Sequence, residues 1–203
     1  MSDPYVYPGT TILINKANLH SQEELNRFER LMTRARLAEP LPPIPITYEG
    51  YKTLHRHIFQ DVFEWAGQSR TVPLAKGQTF FGPPDYVDAE MSRRFDVLAK
   101  ENHLHGLTKP DFARRAAEHL NEINAIHPFR EGNGRTQRLF LKALATQAGH
   151  DLHAERLQPT PWNEASIKGF AGNHEPMQQV IHAALATRVQ TRTQDQGRGR
   201  ERD

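Results

Sequence analysis

The 203-residue chain contains no cysteine, which excludes disulfides and thiolate metal sites and favours a cytoplasmic protein. It also has no apolar run near the roughly 20 residues that a membrane-spanning helix needs. The N-terminus lacks the basic and then apolar pattern of a signal peptide. The formal net charge is only +2, too small for a nucleic-acid-binding surface. We therefore expect neither a membrane nor a nucleic acid as a partner.

Phosphate-binding GxxxxGK[ST], zinc-binding HExxH and dinucleotide-binding GxGxxG motifs are missing as well. The length suits one domain with a tail. We predict an N-terminal arm and helix, packed on the domain, in residues 1–46 and the domain itself in residues 47–187. Residues 188–203 carry no large apolar side chain, which predicts a disordered tail.

Apolar residues at helical spacing predict most of the secondary structure. A capping box at Ser21 begins a helix that the prolines of residues 40–45 end. A second helix is predicted for residues 47–66, closed by Gly67. His55 and His57 lie two residues apart on it, so they point to different faces and are predicted to be structural or exposed, not joint metal ligands.

Further helices are predicted for residues 85–100 and for residues 108–126, the latter beginning with a capping pair from Thr108 to Asp111. Another is predicted from the glycines after Glu131 to Gly149. Two more are predicted, one after the cap pair Thr160–Pro161 and one from about residue 175 to 185. Residues 71–81 contain two short strand-like runs around Lys76 and Gly77, which predict a hairpin. The sequence thus predicts a mainly α fold, a helical bundle with one small β-hairpin.

Chemistry concentrates in residues 127–138, His-Pro-Phe-Arg-Glu-Gly-Asn-Gly-Arg-Thr-Gln-Arg, where one predicted helix ends and the next begins. A helix N-terminus offers unpaired N–H groups and a positive dipole end to an anion. Gly132 and Gly134 have no Cβ to block a diphosphate. Arg135 and Arg138 are three residues apart, so both should point at the same anion. This pattern favours a polyphosphate site.

Glu131 is the carboxylate of this loop, and Mg²⁺ accepts one or two carboxylates together with phosphate oxygens. His127 ends the preceding helix and is suited to accept a proton from an attacking hydroxyl. A base, a metal ligand and a phosphate cradle in that order imply nucleotidyl or phosphoryl transfer.

These residues resemble the signature His-x-Phe-x-(Asp/Glu)-Gly-Asn-Gly-Arg-x-x-Arg of the Fic family, and every fixed position is met. The resemblance implies a Fic fold and a nucleotidyltransferase that moves AMP from ATP to a hydroxyl side chain of a target protein, releasing pyrophosphate. It also implies ATP and Mg²⁺ at the site. The implied roles are His127 as base, Glu131 as metal ligand, Asn133 with the glycine amides on the α- and β-phosphates, Arg138 on the γ-phosphate, and Phe129 as anchor of the nucleotide-binding loop.

In Fic proteins a hairpin flap before the motif docks the target by strand addition. The corresponding residues here are Lys76, Gly77, Gln78, Thr79 and Phe80, which we predict to be the working part of the flap. An ordinary structural hairpin is the alternative on local sequence alone.

Many Fic proteins carry an inhibitory helix with the motif (Ser/Thr)-x-x-x-Glu-(Gly/Asn). The nearest match, from Thr160 to Glu164 and Ala165, fails at the last position and lies in a segment predicted to be core helix. The resemblance therefore implies a small antitoxin protein that supplies the helix in trans near Arg138. Tyr5-Val-Tyr-Pro and Glu175-Pro-Met-Gln also resemble Bep-type effectors, which type IV secretion delivers into host cells.

Alternatives within the family are phosphorylation, phosphocholine transfer and removal of AMP. Gly134 counts against the kinase-like branch, which has Lys there. A catalytically silent binding module that uses only the flap is the alternative outside enzymatic chemistry.

Overall fold

The structure is a computed structural model and describes residues 3–77 and 79–185. This part of the chain forms seven α-helices and one two-stranded antiparallel sheet, which confirms the predicted mainly α fold with a hairpin. In chain order the elements are α1 Gln22–Ala38, α2 Tyr48–Phe59, β1 Ala75–Lys76, β2 Thr79–Phe80, α3 Val87–Lys100, α4 Lys109–Ile126, α5 Asn133–Gln147, α6 Pro159–Phe170 and α7 Glu175–Ala184.

Helix α4 is the centre of the bundle, because α3, α5, α6 and α7 all pack against it. The predicted apolar positions of α4 are buried, with Phe112, Leu120 and Ile123 at most 1 % exposed. Helix α2 packs on α5 and carries α1 on its other side. The segment between α4 and α5 is therefore fixed at both ends by helices of the core.

Helix α2 is shorter than predicted, since it ends at Phe59 and residues 60–67 form successive turns. Val62 and Phe63 are nevertheless fully buried. The turns keep these side chains on the core side, so the apolar periodicity continued past the end of the helix. The Val62 carbonyl accepts a hydrogen bond from the Lys16 amide of the N-terminal arm at 2.9 Å. Gly67 closes this turn segment with a left-handed φ of 84°.

The predicted caps of α1 and α4 are present: Ser21 accepts from the Glu24 amide and Thr108 from the Asp111 amide. The predicted start of α6 is wrong, because its N-cap is Gln158 and Thr160 lies inside the first turn. The Trp162 amide donates to the Gln158 carbonyl at 3.2 Å, which begins the helix two residues early. Helix α3 begins slightly late, after a 3-10 turn at Pro84–Tyr86.

Residues 3–20 form an irregular arm with one isolated bridge between Val6 and Leu13. Asp3 pairs with Arg130 at 2.8 Å, so the arm reaches the α4–α5 segment. The predicted tail, residues 188–203, lies outside the described residues, and the domain boundaries remain predictions. Within residues 3–77 and 79–185, no helix combines the length and apolarity needed to cross a membrane.

Candidate active site

His127 ends α4 in an unusual backbone conformation. Its φ of 54° and ψ of 66° are left-handed, and its amide still donates to the Ile123 carbonyl at 3.0 Å. A non-glycine residue in this region costs energy that the surroundings must offset. The imidazole stacks on Phe81, just after β2, with ring centres 3.8 Å apart. The end of α4 and the hairpin are therefore in direct contact through this side chain.

The hydrogen bonding of His127 defines which ring nitrogen is free. Nδ1 lies 3.2 Å from the Asn124 carbonyl, and a carbonyl can only accept, so Nδ1 carries the proton and Nε2 is left as the acceptor. Burial lowers the pKa of His127 to about 4; the bond to the Asn124 carbonyl opposes this shift, and the positive charges of Arg70 and Lys76 add to it. His127 is therefore neutral at pH 7 and able to take a proton.

The loop between the two helices is closed by Asn133. Its Oδ1 accepts from the Phe129 amide at 3.0 Å and its Nδ2 donates to the Phe129 carbonyl at 2.7 Å. The side chain is only 3 % exposed. The structure thus gives the Asn133 side chain a loop-holding role, and its contact with phosphate stays a prediction.

Phe129 is fully buried and stacks on Tyr51 and His55, with ring centres 5.6 and 3.8 Å away. It does not line the cavity described below. The ring can therefore influence a nucleotide only through the loop that it anchors.

The two glycines of the loop serve different purposes. Gly132 has a φ of 83°, and a Cβ there would lie 2.2 Å from Cε2 of Phe59. Packing against the core and a left-handed backbone therefore require Gly132, and its predicted role toward a diphosphate stays a prediction. A Cβ on Gly134 would meet only Nη1 of Arg138, at 3.8 Å, so this position borders open space suited to a ligand.

The two motif arginines have different partners, although both line the cavity described below. Arg135 donates to Oε1 of Glu29 in α1 at 2.6 Å and lies 3.4 Å from Oε1 of Glu131. Its guanidinium also sits 4.6 Å from the centre of the Phe59 ring. The α1 carboxylate holds Arg135 toward the core because Glu29, which sequence reasoning did not single out, is itself mostly buried.

Arg138 lies over the ring of Trp162 in α6, 5.8 Å from its centre. Burial, followed by the charge of Arg135, lowers the pKa of Arg138. No carboxylate within residues 3–77 and 79–185 pairs with it. A half-buried cation without an acidic partner there fits an anionic ligand.

Glu131 is held by its neighbours and remains about half exposed, at 46 % of the side chain. Its Oε1 accepts from the Gly132 amide at 2.8 Å. Its carbonyl lies 3.0 Å from Nε2 of His55. Three metal-ligating side chains do not come together anywhere in the described part of the chain. A single oriented carboxylate fits Mg²⁺ bound jointly with phosphate oxygens.

His55 is structural, as predicted, and it holds the backbone of the loop between α4 and α5. It is fully buried, and its Nδ1 accepts from the Gly67 amide at 2.8 Å. Nε2 therefore carries the proton that it donates to the Glu131 carbonyl. Burial lowers the pKa of His55 to about 3. His57 points elsewhere, to the Arg36 carbonyl, so the two do not share a metal.

A cavity of about 720 Å³ lies between the hairpin, the motif loop and α6. The predicted site residues that line it are His127, Glu131, Gly132, Asn133, Gly134, Arg135, Arg138, Lys76, Gly77 and Thr79. Phe80 is 78 % exposed and lies outside the lining; Gln78 is outside the described residues.

Helix α6 forms the third wall of this cavity, although we predicted a core helix. Trp162 and Ala165 are buried as expected. Asn163, Ser166 and Ile167, on another face of the helix, line the cavity. The sequence of α6 carried no motif that indicated a site, so only the packing of the bundle shows this role.

Known proteins resemble this chain over most of its length. The Fic/DOC family model matches residues 45–145. A probable protein adenylyltransferase, y4lH of Sinorhizobium fredii, is 46 % identical over 91 % of this chain and 97 % of its own length. The probable protein adenylyltransferase Fic of Escherichia coli is 37 % identical over 91 % of this chain and 92 % of its own.

Among solved structures, BepC of Bartonella tribocorum, a VirB-translocated effector crystallised with AMPPNP, is 26 % identical and covers 90 % of this chain and 96 % of its own, with a TM-score of 0.80. The motif, the helical bundle with its hairpin and these relatives agree, and the chain belongs to the Fic/DOC family.

Proposed function

We propose that this protein transfers AMP from ATP to a hydroxyl side chain of another protein and releases pyrophosphate. One observation carries the proposal. The neutral His127 keeps Nε2 free beside a cavity in which Arg138 has no carboxylate partner among residues 3–77 and 79–185. A proton acceptor and an uncompensated cation at one cavity suit a hydroxyl nucleophile and a polyphosphate. The relatives named as adenylyltransferases support the same chemistry.

In the reaction, the target hydroxyl oxygen forms a bond to the α-phosphorus of ATP while the bond from that phosphorus to the bridging α,β-oxygen breaks. Nε2 of His127 takes the hydroxyl proton, and pyrophosphate leaves with the electron pair of the broken bond. A positioned general base contributes roughly 10²- to 10⁴-fold in rate. His127 is already neutral, so no prior deprotonation is needed.

The ATP phosphates belong beside the N-terminus of α5 and Arg138. Gly134 lets the backbone approach them, and the unpaired amides at a helix N-terminus favour an anion at that end of α5. Arg138 would bind the γ-phosphate and Glu131 would hold Mg²⁺, which would neutralise phosphate charge and stabilise the pyrophosphate leaving group. The resemblance to the AMPPNP-bound BepC structure supports a nucleotide in this cavity.

The target protein docks on the hairpin as an added strand. Within the described residues, β1 and β2 pair only with each other, which leaves backbone groups for a further strand. Lys76, Gly77 and Thr79 line the cavity, so a strand paired here passes close to His127. The exposed Phe80 offers an apolar contact to such a strand.

A small antitoxin protein restrains the enzyme by placing a carboxylate on Arg138. Glu164, the nearest candidate for an internal inhibitor, is exposed on α6 and does not line the cavity. The protein acts as a toxin in the bacterial cytoplasm or as an effector delivered by type IV secretion. The VirB-translocated BepC structure supports the effector role.

The test uses ATP labelled at either the α- or the γ-phosphate with bacterial lysate as the source of acceptors. We expect protein labelling from α-labelled ATP alone, lost in His127→Ala and retained in His105→Ala, an exposed histidine on the far loop. Labelling from γ-labelled ATP would instead assign phosphorylation. Equal labelling by wild type and His127→Ala would disprove the proposal.

Arg138→Ala tests the phosphate site separately. Loss of a charge-assisted contact predicts a KM for ATP raised by roughly tenfold or more. Unchanged KM and kcat would show that Arg138 does not bind the nucleotide.

Co-purification of a small helical partner with the wild-type chain would identify the inhibitor directly.

A further inference from the structure

Arg70 lies just before the hairpin and is one of the largest buried side chains, only 2 % exposed. Its guanidinium donates to four backbone carbonyls: His127 at 2.8 Å, Val72 at 2.7 Å, Ile126 at 3.0 Å, and Gly82. Every contact is to the backbone. Arg70 therefore holds the backbone of these segments and contacts none of their side chains through hydrogen bonds.

A buried cation usually pairs with a carboxylate, because the loss of hydration is otherwise costly. No ion pair to Arg70 occurs within the described part of the chain. The four carbonyl dipoles compensate the charge instead. An apolar residue of similar size would leave these four carbonyls without this donor, so the guanidinium both stabilises the junction and fixes its geometry.

The four carbonyls belong to two separate parts of the site. Val72 and Gly82 are the two roots of the hairpin, one before β1 and one after β2. Ile126 and His127 are the end of α4 and the base. A guanidinium is planar and directs its N–H groups as a rigid fork, so one side chain fixes the orientation of all four peptide groups.

Two backbone bonds reinforce the same junction. The Arg70 amide donates to the Pro128 carbonyl at 2.8 Å, and the Gly82 amide donates to the Ala125 carbonyl at 3.0 Å. The hairpin between these roots has only one pair of two-residue strands. Such a short hairpin is marginal on its own, so its position over the cavity depends on how its roots are held.

We propose that Arg70 is a positioning residue that sets the distance between the target-docking hairpin and His127. It does not line the cavity, so it touches neither nucleotide nor target. It holds the His127 carbonyl, and with it the left-handed backbone that aims the imidazole. A strand paired with the hairpin then presents its hydroxyl at a fixed place relative to Nε2. This role rests on the proposed AMP transfer.

The test compares wild type, Arg70→Lys, Arg70→Gln and the control Ile181→Val. Lysine keeps the cation but lacks the planar fork, and glutamine also removes the charge. Ile181 is fully buried in α7 and does not line the cavity, so the control lowers stability without touching the junction. For each protein we would measure the melting temperature, the Kd for AMPPNP, the rate of α-label transfer at saturating ATP and the hydrogen exchange of residues 72–82.

In Arg70→Lys we expect transfer to fall by roughly tenfold or more, since a misplacement of about 1 Å has effects of this size. The Kd for AMPPNP should stay within about threefold, and amides of residues 72–82 should exchange faster. Arg70→Gln should show the same changes more strongly. Ile181→Val, compared at the same margin below its melting temperature, should keep wild-type transfer and hairpin exchange.

Transfer at the wild-type rate in Arg70→Lys would overturn the inference. So would a loss of transfer that parallels the loss of AMPPNP binding, or an equal loss in Ile181→Val, because either indicates a general effect on folding. If the wild-type protein transferred no label, the proposed AMP transfer would fall. In that case the exchange measurement still tests the role of Arg70. Unchanged hydrogen exchange of residues 72–82 in both Arg70 variants would refute the coupling between Arg70 and the hairpin.

Discussion

At His127, burial and one hydrogen bond prepare the imidazole without any neighbouring carboxylate on the ring. Nδ1 is committed to the Asn124 carbonyl and the pKa is lowered to about 4. A base with this pKa is fully neutral over the physiological range. We therefore expect the transfer rate to be independent of His127 protonation between about pH 6 and pH 8.

The acid limb of the kcat profile should accordingly fall near pH 4 to 5 rather than near the ordinary histidine value of 6.5. Initial rates at saturating ATP across this range would measure it, with circular dichroism to confirm that the protein remains folded. A limb centred at the ordinary value would mean that the site is more hydrated than the structure shows.

We expect the buried His55 to make the free energy of unfolding depend on pH. Its folded pKa of about 3 lies below the ordinary value of 6.5, so above pH 6.5 both states are neutral and its contribution is complete. Below that, the unfolded chain binds a proton that the folded chain refuses, and stability falls by roughly 1.4 kcal/mol per pH unit from this group.

His55→Gln should remove this slope. It should also cost about 1–3 kcal/mol at pH 7, because the Gly67 amide loses its acceptor. Urea unfolding at a series of pH values would measure both effects. An unchanged slope in the variant would place the acid sensitivity elsewhere.

Substitutions at the two loop glycines should affect different properties, stability at Gly132 and nucleotide binding at Gly134. Gly132→Ala forces a Cβ into the Phe59 ring at a left-handed φ, so we expect a loss of several kcal/mol in the free energy of unfolding. Gly134→Ala meets only open space and one flexible guanidinium, so its stability should change by less than about 1 kcal/mol.

Gly134→Ala should instead weaken nucleotide binding, because the added methyl lies where we propose that phosphates approach. Calorimetric titration with AMPPNP would test this, and we expect affinity to fall by roughly tenfold or more. A Gly134→Ala protein that binds AMPPNP normally would move the phosphates away from the start of α5.

At the level of elements, α1 reaches into the site through Glu29. The Glu29 carboxylate is mostly buried, and burial raises its pKa more than Arg135 lowers it. The folded chain therefore holds the Glu29 proton more tightly than the unfolded chain, so this group stabilises the fold at low pH and its contribution is lost as pH rises through the folded pKa. The ion pair with Arg135 thus adds little stability at pH 7, because desolvation offsets the attraction.

Glu29→Gln should therefore change the free energy of unfolding by less than about 1 kcal/mol. It should also release Arg135 toward the cavity, which it already lines, and tighten AMPPNP binding severalfold. Thermal unfolding and calorimetric titration would measure the two effects. Glu23→Gln, an exposed change in the same helix, is the matched control. Weaker binding in Glu29→Gln would show that Arg135 acts only while α1 holds it.

For the whole molecule, the helices after the motif complete the site. Helix α7 packs on α4 and α6, with Met177 and Ile181 buried, and α6 supplies a wall of the cavity.

A chain ending at residue 150 loses this packing, and we expect it to unfold or aggregate and to bind no AMPPNP. A chain ending at residue 187 should keep the wild-type melting temperature within about 1 °C, because the removed residues carry no large apolar side chain.

Much of this was readable from the sequence, for local reasons. Caps such as Ser21 and Thr108, the apolar periods of the helices and the turn at Lys76–Gly77 act over a few residues, so their patterns predict structure directly. The motif likewise placed base, carboxylate and glycines within one short segment, and its spacing survives folding because the segment is continuous.

The tertiary structure decided what depends on distant residues meeting. Arg70 before the hairpin holds the His127 carbonyl, Glu29 pairs with Arg135, and α6 forms a wall of the cavity, yet none of these contacts has a local pattern. Apolar periodicity could not show that α2 ends at Phe59, because turns buried Val62 as well as a helix would. The sequence by itself determined which groups perform the chemistry; only the packing of remote elements decided how they are aimed, since burial and hydrogen-bond partners exist only in the folded chain.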